Sequence, residues 1–492
     1  MTSRWFVLSL LLAGSAGCTV DIGPAQGPRI RVVSDISRTD TIDAAPTQPI
    51  VIEITDSTGR PAFVGVTAFG IPAQTSSEQP GMFVYDEAGN PTVGLTVRGD
   101  GRATFHVIFG RRAGQAGVVI SAPDLRLTDT LLFTVNPGAA THLALIPAFP
   151  VVVLGASYQQ GALVLDRADN DLNRSSAVTF SGLNTGITVS SSGLVRGTEY
   201  ARAGIRATYL QISETGLVSV VPAGRLATVI TLGTFGQPNE TSVTVLGMDG
   251  SPARRYSTPP LDASDAVWNA DATRIYYVGT PRASNQPQRI YSLGVADGAF
   301  SPLIADTVSA LVGEKLSSPA VSRDGAWVYF IRLIGFTTTG EVWRVHPDGT
   351  GLTPLLTNHV FRASLAPSPD GTRLAYVESA GGAATENEIK ILDIQSGNTL
   401  TIAGTGAGEI RWSPTANRIA IKGDGVLYVM NADGSGLTQI GAYDSFFTGL
   451  DWSPDGRWVL ANLTGIPTII DPATGLELPL NIVGVGDSWS PQ

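Results

Sequence analysis

The stretch LDWSPDGRWVLAN at residues 450–462 decides how the second half of this chain folds. It contains a short run ending in Trp-Ser-Pro, then an Asp-Gly pair, then a second run in which apolar residues dominate. Asp-Gly is a strong hairpin signal, because glycine tolerates positive φ and the aspartate side chain bonds nearby backbone amides. The stretch therefore predicts two antiparallel strands joined by a tight turn.

Related stretches recur upstream and downstream of this one. They are AVWNADATRIYYVG (266–279), PAVSRDGAWVYFI (319–331), LAPSPDGTRLAYVE (365–378), IRWSPTANRIAIK (410–422) and DSWSPQ (487–492). The markers of the six stretches are 54, 46, 45, 40 and 37 residues apart, and they are Trp268, Ser322, Ser368, Ser413, Ser453 and Ser490. A period of this length is typical of a four-stranded propeller blade.

A second set of strands gives the same count and suggests how the repeat closes. These third-strand segments are TSVTVLGMDG (241–250), RIYSLGVADG (289–298), EVWRVHPDG (341–349), EIKILDIQSG (388–397), VLYVMNADG (426–434) and PTIIDPATG (467–475). The first has no Ser-Pro stretch before it, and DSWSPQ has no third strand after it. We therefore expect a six-bladed β-propeller closed by its N- and C-terminal strands, in which DSWSP supplies the inner strand of the blade begun near residue 227.

These units resemble the TolB-type propeller repeat, and the resemblance covers about residues 225–492. Two units depart from the Ser-Pro-Asp-Gly pattern, with SPTAN and NADA in its place, and both keep a turn-forming sequence. The Asp-Gly aspartates are expected to serve the turns rather than catalysis. They are Asp324, Asp348, Asp370, Asp433 and Asp455.

Two β-sandwiches are predicted before the propeller, at residues 29–136 and 140–223, after a linker at 18–28. Short alternating strands with turn signals about every ten residues are typical of this architecture. The stretch GDGRATFHVIFGRRAGQAGVVISA (99–122) resembles the invasin group of bacterial Ig-like repeats, and GITVSSSGLVRGTEYARAGIRATY (186–209) resembles another bacterial Ig-like group. In the second sandwich Gly193 and Gly204 are expected at turn positions with positive φ.

The stretch DRADNDLN (166–173) contains three aspartates and invites comparison with a calcium loop. It lacks the glycine and the terminal glutamate of EF-hand spacing. A solvated hairpin turn is therefore the favoured interpretation.

The first 17 residues are predicted to be a signal peptide, with Arg4 at the positive end and a short apolar run at Trp5–Leu12. SAGC, ending at Cys18, resembles the lipobox of bacterial lipoproteins, which implies lipidation of Cys18. Multiple acyl chains give a stable membrane anchor. By the same resemblance, Thr19 after the cysteine implies sorting to the outer membrane, on its periplasmic or surface side.

Composition excludes one class of partner. The chain has 492 residues, a net charge of −10 and a pI near 5.0. Nucleic-acid binding requires a basic surface that neutralises phosphates, so no nucleic-acid partner is expected. We expect a monomer that binds an envelope protein or a glycan.

The binding surface is predicted from loop lengths. The Asp-Gly turns are short, whereas the loops between second and third strands and the connections between blades are long, and they share one face. Loops on a rigid support commonly carry function. The candidate ligand-binding residues on this loop face are Arg332, Phe336, His359, Phe361, Tyr443, Phe446 and Phe447.

No catalytic or metal-binding constellation stands out. Cys18 is the only cysteine, and none of the four histidines (His106, His142, His346, His359) are spaced as metal ligands on one helix turn. No cofactor is expected. The sequence favours a non-enzymatic binding or scaffolding protein; a carbohydrate-active propeller enzyme (a lyase, or a glycosidase using a carboxylate pair) and a purely structural surface protein are the alternatives.

Overall fold

The computed structural model describes residues 27–45, 48–72, 81–232, 240–251, 254–258, 261–282, 287–304, 314–333, 339–379, 387–402, 406–423, 425–442, 449–462, 466–482 and 485–491. Across these ranges the protein is all-β, as the sequence predicts, with 41 strands. The helical segments within them are two short 3-10 turns, Pro123–Leu125 and Ser175–Ala177. Within the same ranges, no helix has the length and hydrophobicity needed to cross a membrane.

The chain divides into two compact units, which are described separately below. One comprises the described residues of Met1–His142 and Val164–Arg174. The other comprises those of Leu143–Leu163 and Ser175–Gln492.

The first unit contains two sheets whose strands are mostly antiparallel. One has the order Arg29–Val32, Ile50–Thr55, Arg102–Phe109 and Met82–Tyr85. The other has the order Thr39–Thr41, Leu127–Asn136, Gly114–Ala122, Val66–Pro72 and Gly94–Leu95. Side chains alternate between buried and accessible along Arg102–Phe109, so one face of each strand enters a shared core that includes Ile52, Phe105 and Phe133. Phe109 and Phe133 meet edge to face with ring centroids 5.8 Å apart.

The turn predicted at DRADNDLN belongs to this first unit. Asp166 is fully buried, and its carboxylate accepts hydrogen bonds from the backbone N–H groups of Gly138, Ala168 and Asn170. The Asn170 side chain also donates to both carboxylate oxygens. These donors occupy the Asp166 carboxylate, which agrees with a turn, but Asp166 and Asn170 are buried rather than solvated as the sequence predicts.

Three sheets involve the sequence between residues 140 and 221. They are Ala140–Ile146 with Gly161–Asp166; Val151–Val153, Ile212–Val221, Ala201–Tyr209 and Thr179–Gly182; and Ser157–Gln159, Leu194–Gly197 and Ile187–Val189. Gly193 has a φ of +92°, as expected for a turn. The expectation for Gly204 is wrong: it lies inside Ala201–Tyr209 without a positive φ. A Cβ atom there would lie 3.1 Å from the Leu183 Cβ atom, so close packing explains this glycine.

The remaining described strands form successive antiparallel sheets. Four of these sheets have four strands each. They are Arg254–Ser257, Glu240–Gly247, Arg225–Leu232 and Val485–Trp489; Leu261–Trp268, Arg274–Pro281, Arg289–Gly294 and Phe300–Pro302; Ala407–Trp412, Arg418–Gly423, Val426–Asn431 and Thr438–Ala442; and Leu450–Trp452, Val459–Asn462, Pro467–Asp471 and Leu476–Pro479.

A seven-stranded sheet completes this set. Its strands are Lys315–Val321, Val328–Leu333, Thr339–Val345, Thr353–Pro367, Arg373–Ser379, Asn387–Asp393 and Thr399–Ile402. The long strand Thr353–Pro367 is shared. Its first part pairs with Thr339–Val345 and its last part with Arg373–Ser379.

The Asp-Gly turns adopt the geometry that the sequence predicts. Their glycines have φ values between +69° and +87°, and they are Gly325, Gly349, Gly371, Gly434 and Gly456. In the turn after Trp452, the Ser453 hydroxyl donates to the Asp455 carboxylate at 2.5 Å and accepts the Trp458 N–H at 2.8 Å. The same serine-to-aspartate bond occurs in the turns that begin at Ser322 and Ser368.

The strand nearest the end of the sequence pairs with a strand far upstream. Val485–Trp489 runs antiparallel to Arg225–Leu232, with Leu226 opposite Trp489 and Val229 opposite Val485. This is the pairing expected from the sequence.

A hydrophobic cluster of the second unit surrounds this pairing. It includes Leu226, Trp458 and Trp489, and Val151 and Tyr200 pack against it. The Tyr200 and Trp458 rings meet edge to face at 5.3 Å, and the Arg457 guanidinium lies 4.9 Å from the Tyr200 ring centroid.

Candidate functional site: a cavity lined by six strands

Six strands contribute to one cavity of about 300 Å³ in the second unit. We call them the lining strands, and they are Leu261–Trp268, Lys315–Val321, Thr353–Pro367, Ala407–Trp412, Leu450–Trp452 and Val485–Trp489. Each contributes through the segment that ends in Trp-Ser-Pro or its equivalent. The repeat therefore brings six copies of one short motif around a single space.

Three positions of the motif supply cavity-lining residues. The position nearest the turn, which we call the rim, comprises Ala270, Arg323, Pro369, Pro414, Pro454 and Pro491. The position of the tryptophan, which we call the middle layer, comprises Trp268, Val321, Pro367, Trp412, Trp452 and Trp489. The position directly before it, which we call the inner ring, comprises Val267, Ala320, Ala366, Arg411, Asp451 and Ser488.

The rim residues lie at the ends of the lining strands that lead into the short turns, so the cavity lies at these ends. Pro369 directly precedes Asp370, and Pro454 directly precedes Asp455. The long loops that the sequence singled out lie largely outside the described residues. The cavity is thus a feature of the short-turn side, which the sequence did not single out.

Packing between neighbouring sheets fixes the tryptophans of the middle layer. The guanidinium of Arg373 lies 5.0 Å from the Trp412 ring centroid, and Arg418 lies 5.6 Å from that of Trp452. In both cases the arginine begins the second strand of one sheet and the tryptophan ends the lining strand of the next. Cation–π contacts of this kind favour a fixed ring orientation, so the cavity wall is preorganised.

The inner ring is chemically asymmetric. Val267, Ala320 and Ala366 form an apolar arc on three consecutive lining strands. Arg411, Asp451 and Ser488 occupy the same position on the other three, and they form a polar arc. A pocket with an apolar wall and a few convergent polar groups is the usual form of a ligand site.

Arg411 is compensated within the protein. Its Nη2 lies 3.2 Å from Oε1 of Glu409, and its Nη1 donates to the Ile410 carbonyl at 2.9 Å. The Oγ atom of Ser364 lies 3.5 Å from the same Nη1.

Asp451 accepts hydrogen bonds from uncharged donors, namely backbone N–H groups and a hydroxyl. Its Oδ1 accepts the Trp452 N–H at 2.8 Å, and its Oδ2 accepts the Trp489 N–H at 2.6 Å. The Ser488 hydroxyl also bonds to the carboxylate. Burial raises the Asp451 pKa, and Arg411 and these hydrogen bonds oppose the rise.

Asp265 is a second carboxylate in the same electrostatic neighbourhood. It sits in a β-bulge of Leu261–Trp268 with a φ of +48°, the left-handed conformation that Asp tolerates better than most residues. Burial raises its pKa, Arg411 opposes the rise and Glu409 adds to it. Asp265 nevertheless stays exposed, and it is not among the residues that line the cavity.

Lys422 adds a buried cation next to Glu409. It is 3% exposed and lies opposite Glu409 in the pairing of Ala407–Trp412 with Arg418–Gly423. Burial lowers its pKa, and Glu409 opposes that shift. Glu409 therefore has two cations nearby, Arg411 and Lys422.

Arg332, predicted from the sequence as a ligand-binding residue, takes part in an ion network. Its Nε donates to Glu314 at 2.5 Å, and its Nη1 lies 3.3 Å from Glu341. Glu314 also pairs with Arg289 at 3.1 Å, and both of these side chains are more than nine-tenths buried. The guanidinium of Arg332 also lies 5.4 Å from the Trp343 ring centroid. This network leaves about a fifth of the Arg332 side chain exposed.

His359, the other described candidate, belongs to a second ion network. Its Nδ1 lies 2.6 Å from Oε1 of Glu378, whose Oε2 lies 2.5 Å from the Lys390 ammonium. Burial raises the Glu378 pKa, Lys390 and His359 lower it, and the net result is a lowered pKa. The networks of Arg332 and His359 involve different residues.

The other candidates cannot be placed. Cys18, Phe336, Tyr443, Phe446 and Phe447 lie outside the described residues, and Phe361 lies in Thr353–Pro367 without a described side chain. Their roles in lipidation and binding stay predictions.

Sequence reasoning missed Arg411, Asp451 and Asp265. A signal for the first two was present, since both directly precede the tryptophan of a Trp-Ser-Pro motif, where the other repeats have Val, Ala or Ser. Comparing the repeats position by position would have found this charged pair.

The polar arc can bind and orient a ligand through charge and hydrogen bonds. Among the residues that the structure describes, no group of three or more His, Cys, Asp or Glu side chains is arranged to hold a metal ion. His346 and His359 do not contact the same residue. His346 stacks on Trp327, and His359 pairs with Glu378.

No family model matches the chain. Solved structures similar to it include TolB from Acinetobacter baumannii, with 16% identity over 64% of this chain and 83% of that chain, and a TM-score of 0.46. Oligogalacturonate lyase from Vibrio parahaemolyticus has 12% identity, covering 70% and 97%, with a TM-score of 0.36. The calcium-binding protein regucalcin from Agrobacterium tumefaciens has 16% identity, covering 55% and 96%, with a TM-score of 0.36. At these values no activity, ligand or partner is carried over to this chain.

Proposed function

We propose that this chain is a lipid-anchored envelope protein that binds a partner without catalysis, with a six-bladed propeller head on Ig-like domains. The observation that carries the binding function is the cavity of about 300 Å³, with its apolar arc facing a polar arc. A volume of this size accommodates a side chain or a small ligand. The partner is an envelope protein or a glycan.

Three features support six blades. Six lining strands enter one cavity, and four sheets have four strands each. The seven-stranded sheet equals two four-stranded blades that share the long strand Thr353–Pro367. Val485–Trp489 adds the inner strand to the sheet of Arg225–Leu232. Closure of a sheet ring in this way leaves only short edges.

Capture from an envelope extract tests the binding function and locates it. The purified full chain is immobilised beside Val267→Trp, which adds bulk to the inner ring, and Phe446/Phe447→Ala, which alters the predicted loop-face site. We expect the partner to be retained by wild type and lost with Val267→Trp. Loss only with Phe446/Phe447→Ala would place the contact on the loop face instead.

A matched control separates blocking from misfolding. Val93→Trp makes the same substitution at a side chain that is 64% exposed in the first unit, so it should keep the partner. Thermal unfolding of each variant confirms that it is folded. If wild type retains no partner above the level of an unrelated immobilised protein, the binding function is wrong.

The anchor is tested by Cys18→Ser. A diacylglyceryl group on the cysteine sulfur requires the thiol, so the variant should leave the membrane fraction and become soluble. Fractionation followed by immunoblotting measures this. Persistence of the variant on membranes would contradict lipidation.

A carbohydrate-active enzyme remains the second candidate because Asp265 and Asp451 are carboxylates with raised pKa values in one neighbourhood. Such shifts occur at catalytic acids, and they also occur at buried structural groups. Screening the purified full chain for polysaccharide cleavage decides between the two. Reproducible turnover that is lost in Asp265→Asn would establish the enzyme.

A further inference from the structure

We propose that the cavity takes one cationic side chain, with its charged group near Asp451 and Asp265 and its aliphatic stem against the apolar arc. The ligand class is an alkylammonium or guanidinium group, as in lysine or arginine. This inference rests on the proposed binding function and specifies the chemistry of the same cavity.

The first step is the balance of charge around the cavity. Glu409 is compensated by Arg411 at 3.2 Å and by Lys422 on the neighbouring strand. Asp451 accepts hydrogen bonds from two backbone N–H groups and the Ser488 hydroxyl, all of which are neutral donors. Among the described residues, no cation lies within 4 Å of the carboxylates of Asp451 or Asp265. Arg411 acts on both aspartates from a distance, so two cations, Arg411 and Lys422, face three carboxylates, those of Glu409, Asp451 and Asp265. One negative charge is thus left over among the described residues.

The second step is the cost of that arrangement. A carboxylate surrounded by protein is destabilised in its charged form unless a cation accompanies it. Burial accordingly raises the Asp451 pKa, and it raises the Asp265 pKa as well although Asp265 keeps accessible surface. A bound cation removes this penalty, so the site favours a cationic ligand over a neutral one of equal shape.

The third step is the fit of the stem. Val267, Ala320 and Ala366 give the inner ring an apolar wall, and Ala270, Arg323 and Pro369 follow on the same strands at the rim. Long cationic side chains commonly bury their methylene stem along apolar surface while the charged head reaches a polar partner. The apolar and polar arcs lie side by side in the same ring, which suits this division.

Two cations bear on the entry of such a ligand. Arg411 lines the inner ring, but Glu409 and the Ile410 carbonyl engage its guanidinium. Arg323 is at the rim and is exposed, so water and salt screen its charge. Two substitutions should therefore change the affinity for a cationic ligand in opposite directions. Removing Arg323 should strengthen binding slightly, and neutralising Asp451 should weaken it.

The test uses the full chain and three probes in ligand-observed NMR titrations. They are N-acetyl-lysine methylamide, the uncharged N-acetyl-norleucine methylamide, and free butylamine. We expect the lysine probe to bind at least about tenfold more tightly than the norleucine probe, a difference of about 1.4 kcal/mol. Equal affinity for the two, or no binding by the lysine probe, would overturn the inference.

The third probe distinguishes the source of the cation. Butylamine binding as tightly as the lysine probe identifies the ammonium group alone as the ligand, which a free amine supplies. Butylamine binding at least tenfold more weakly identifies a side chain presented on a polypeptide. Both outcomes support a cationic ligand.

Variants assign the effect to the cavity. Asp451→Asn and Asp265→Asn should each reduce the preference for lysine over norleucine, whereas Arg323→Ala should preserve or increase it. Asp265→Asn leaves intact the hydrogen bond that the Trp489 N–H donates to Asp451, so it keeps the test valid if Asp451→Asn proves unstable. Asp433→Asn, at an exposed turn away from the cavity, is the matched control and should change nothing. An unchanged preference in both cavity variants would place the cation elsewhere.

Failure of this inference is distinguishable from failure of the proposed function. If the envelope partner is retained by wild type and lost with Val267→Trp, but no preference for lysine exists, the cavity binds a neutral group. That result overturns the inference and keeps the binding function.

Discussion

Ser368 and Asp370 show how single residues define a turn that recurs along the chain. The Ser368 hydroxyl is fully buried; it donates to the Asp370 carboxylate at 2.6 Å and accepts the Arg373 N–H at 2.9 Å. Asp370 also accepts the Thr372 N–H at 3.0 Å, and Gly371 takes the positive φ of +71°. One aspartate thus satisfies several donors that the turn leaves free, which explains the repeated Asp-Gly pair.

The first prediction concerns pH. The Ser368 hydrogen bond is the main cause that lowers the Asp370 pKa from 3.8 to about 2. Because the folded-state pKa is depressed, ionised Asp370 stabilises the fold above pH 3.8, and this contribution is lost as pH falls towards about 2. In Asp370→Asn the contribution is absent at every pH. Urea midpoints of the two proteins should therefore differ most above about pH 4 and converge as the pH approaches 2.

Asp433→Asn is the comparison variant for this measurement, because Asp433 occupies an Asp-Gly turn between the third and fourth strands of its sheet, where Ser435 rather than a buried serine donates to it. A difference between wild type and Asp370→Asn that stays constant from about pH 4.5 to 2 would contradict the assignment.

At the scale of the element, the short strand Val485–Trp489 makes several contacts that stabilise the fold. It pairs with Arg225–Leu232, and Trp489 is 4% exposed within the surrounding hydrophobic cluster. The Asp451 carboxylate accepts the Trp489 N–H, which ties the same strand to the sheet on its other side. Burial, strand pairing and a buried hydrogen bond all depend on this segment.

The second prediction is that deleting residues 486–492 destabilises the protein strongly. Losing a buried tryptophan alone costs about 3–5 kcal/mol, whereas removing an ordinary frayed tail costs almost nothing. Urea unfolding followed by tryptophan fluorescence measures the change. Deleting Gln492 alone is the control and should shift stability by less than about 0.5 kcal/mol. An equally small effect of the longer deletion would refute the closure.

Much of this architecture is predictable because it depends on local sequence patterns. The Asp-Gly turns, the repeat spacing and the partner of DSWSP depend on residue types at fixed intervals, so the sequence suffices for them. The bulge at Asp265 and the ion pair of Arg332 with Glu314 depend on how separate strands meet, which no local pattern specifies. The preference for the loop face came from loop length alone, and that signal says nothing about where side chains enclose a cavity.

At the scale of the whole molecule, residues upstream of the repeat pack against it within the second unit. Tyr200 packs edge to face on Trp458, and Val151 and Val153 pack against the same hydrophobic cluster. Trp458 follows the turn at Asp455 and Gly456, next to the sheet that accepts the closing strand. These upstream residues therefore support the region where Arg225–Leu232 pairs with Val485–Trp489.

The third prediction follows from this contact. Tyr200→Ala removes an aromatic partner of Trp458 and part of the cluster, and it should lower stability by about 1–2 kcal/mol. Tyr200→Phe keeps the ring and should stay within about 0.5 kcal/mol of wild type. Fluorescence and circular dichroism should report one shifted transition for Tyr200→Ala. A separate early transition that leaves the tryptophan signal unchanged would show that this support is absent.

The pairing of Leu226 with Trp489 also sets an order of events during biogenesis. Strands this distant in sequence come together late, because the intervening chain must first be made and collapsed. Until then the edge of Arg225–Leu232 presents unpaired N–H and C=O groups, which can recruit strands from other chains. The interval between synthesis of residue 232 and residue 489 is thus a period of vulnerability, and a chaperone that shields extended strands would act within it.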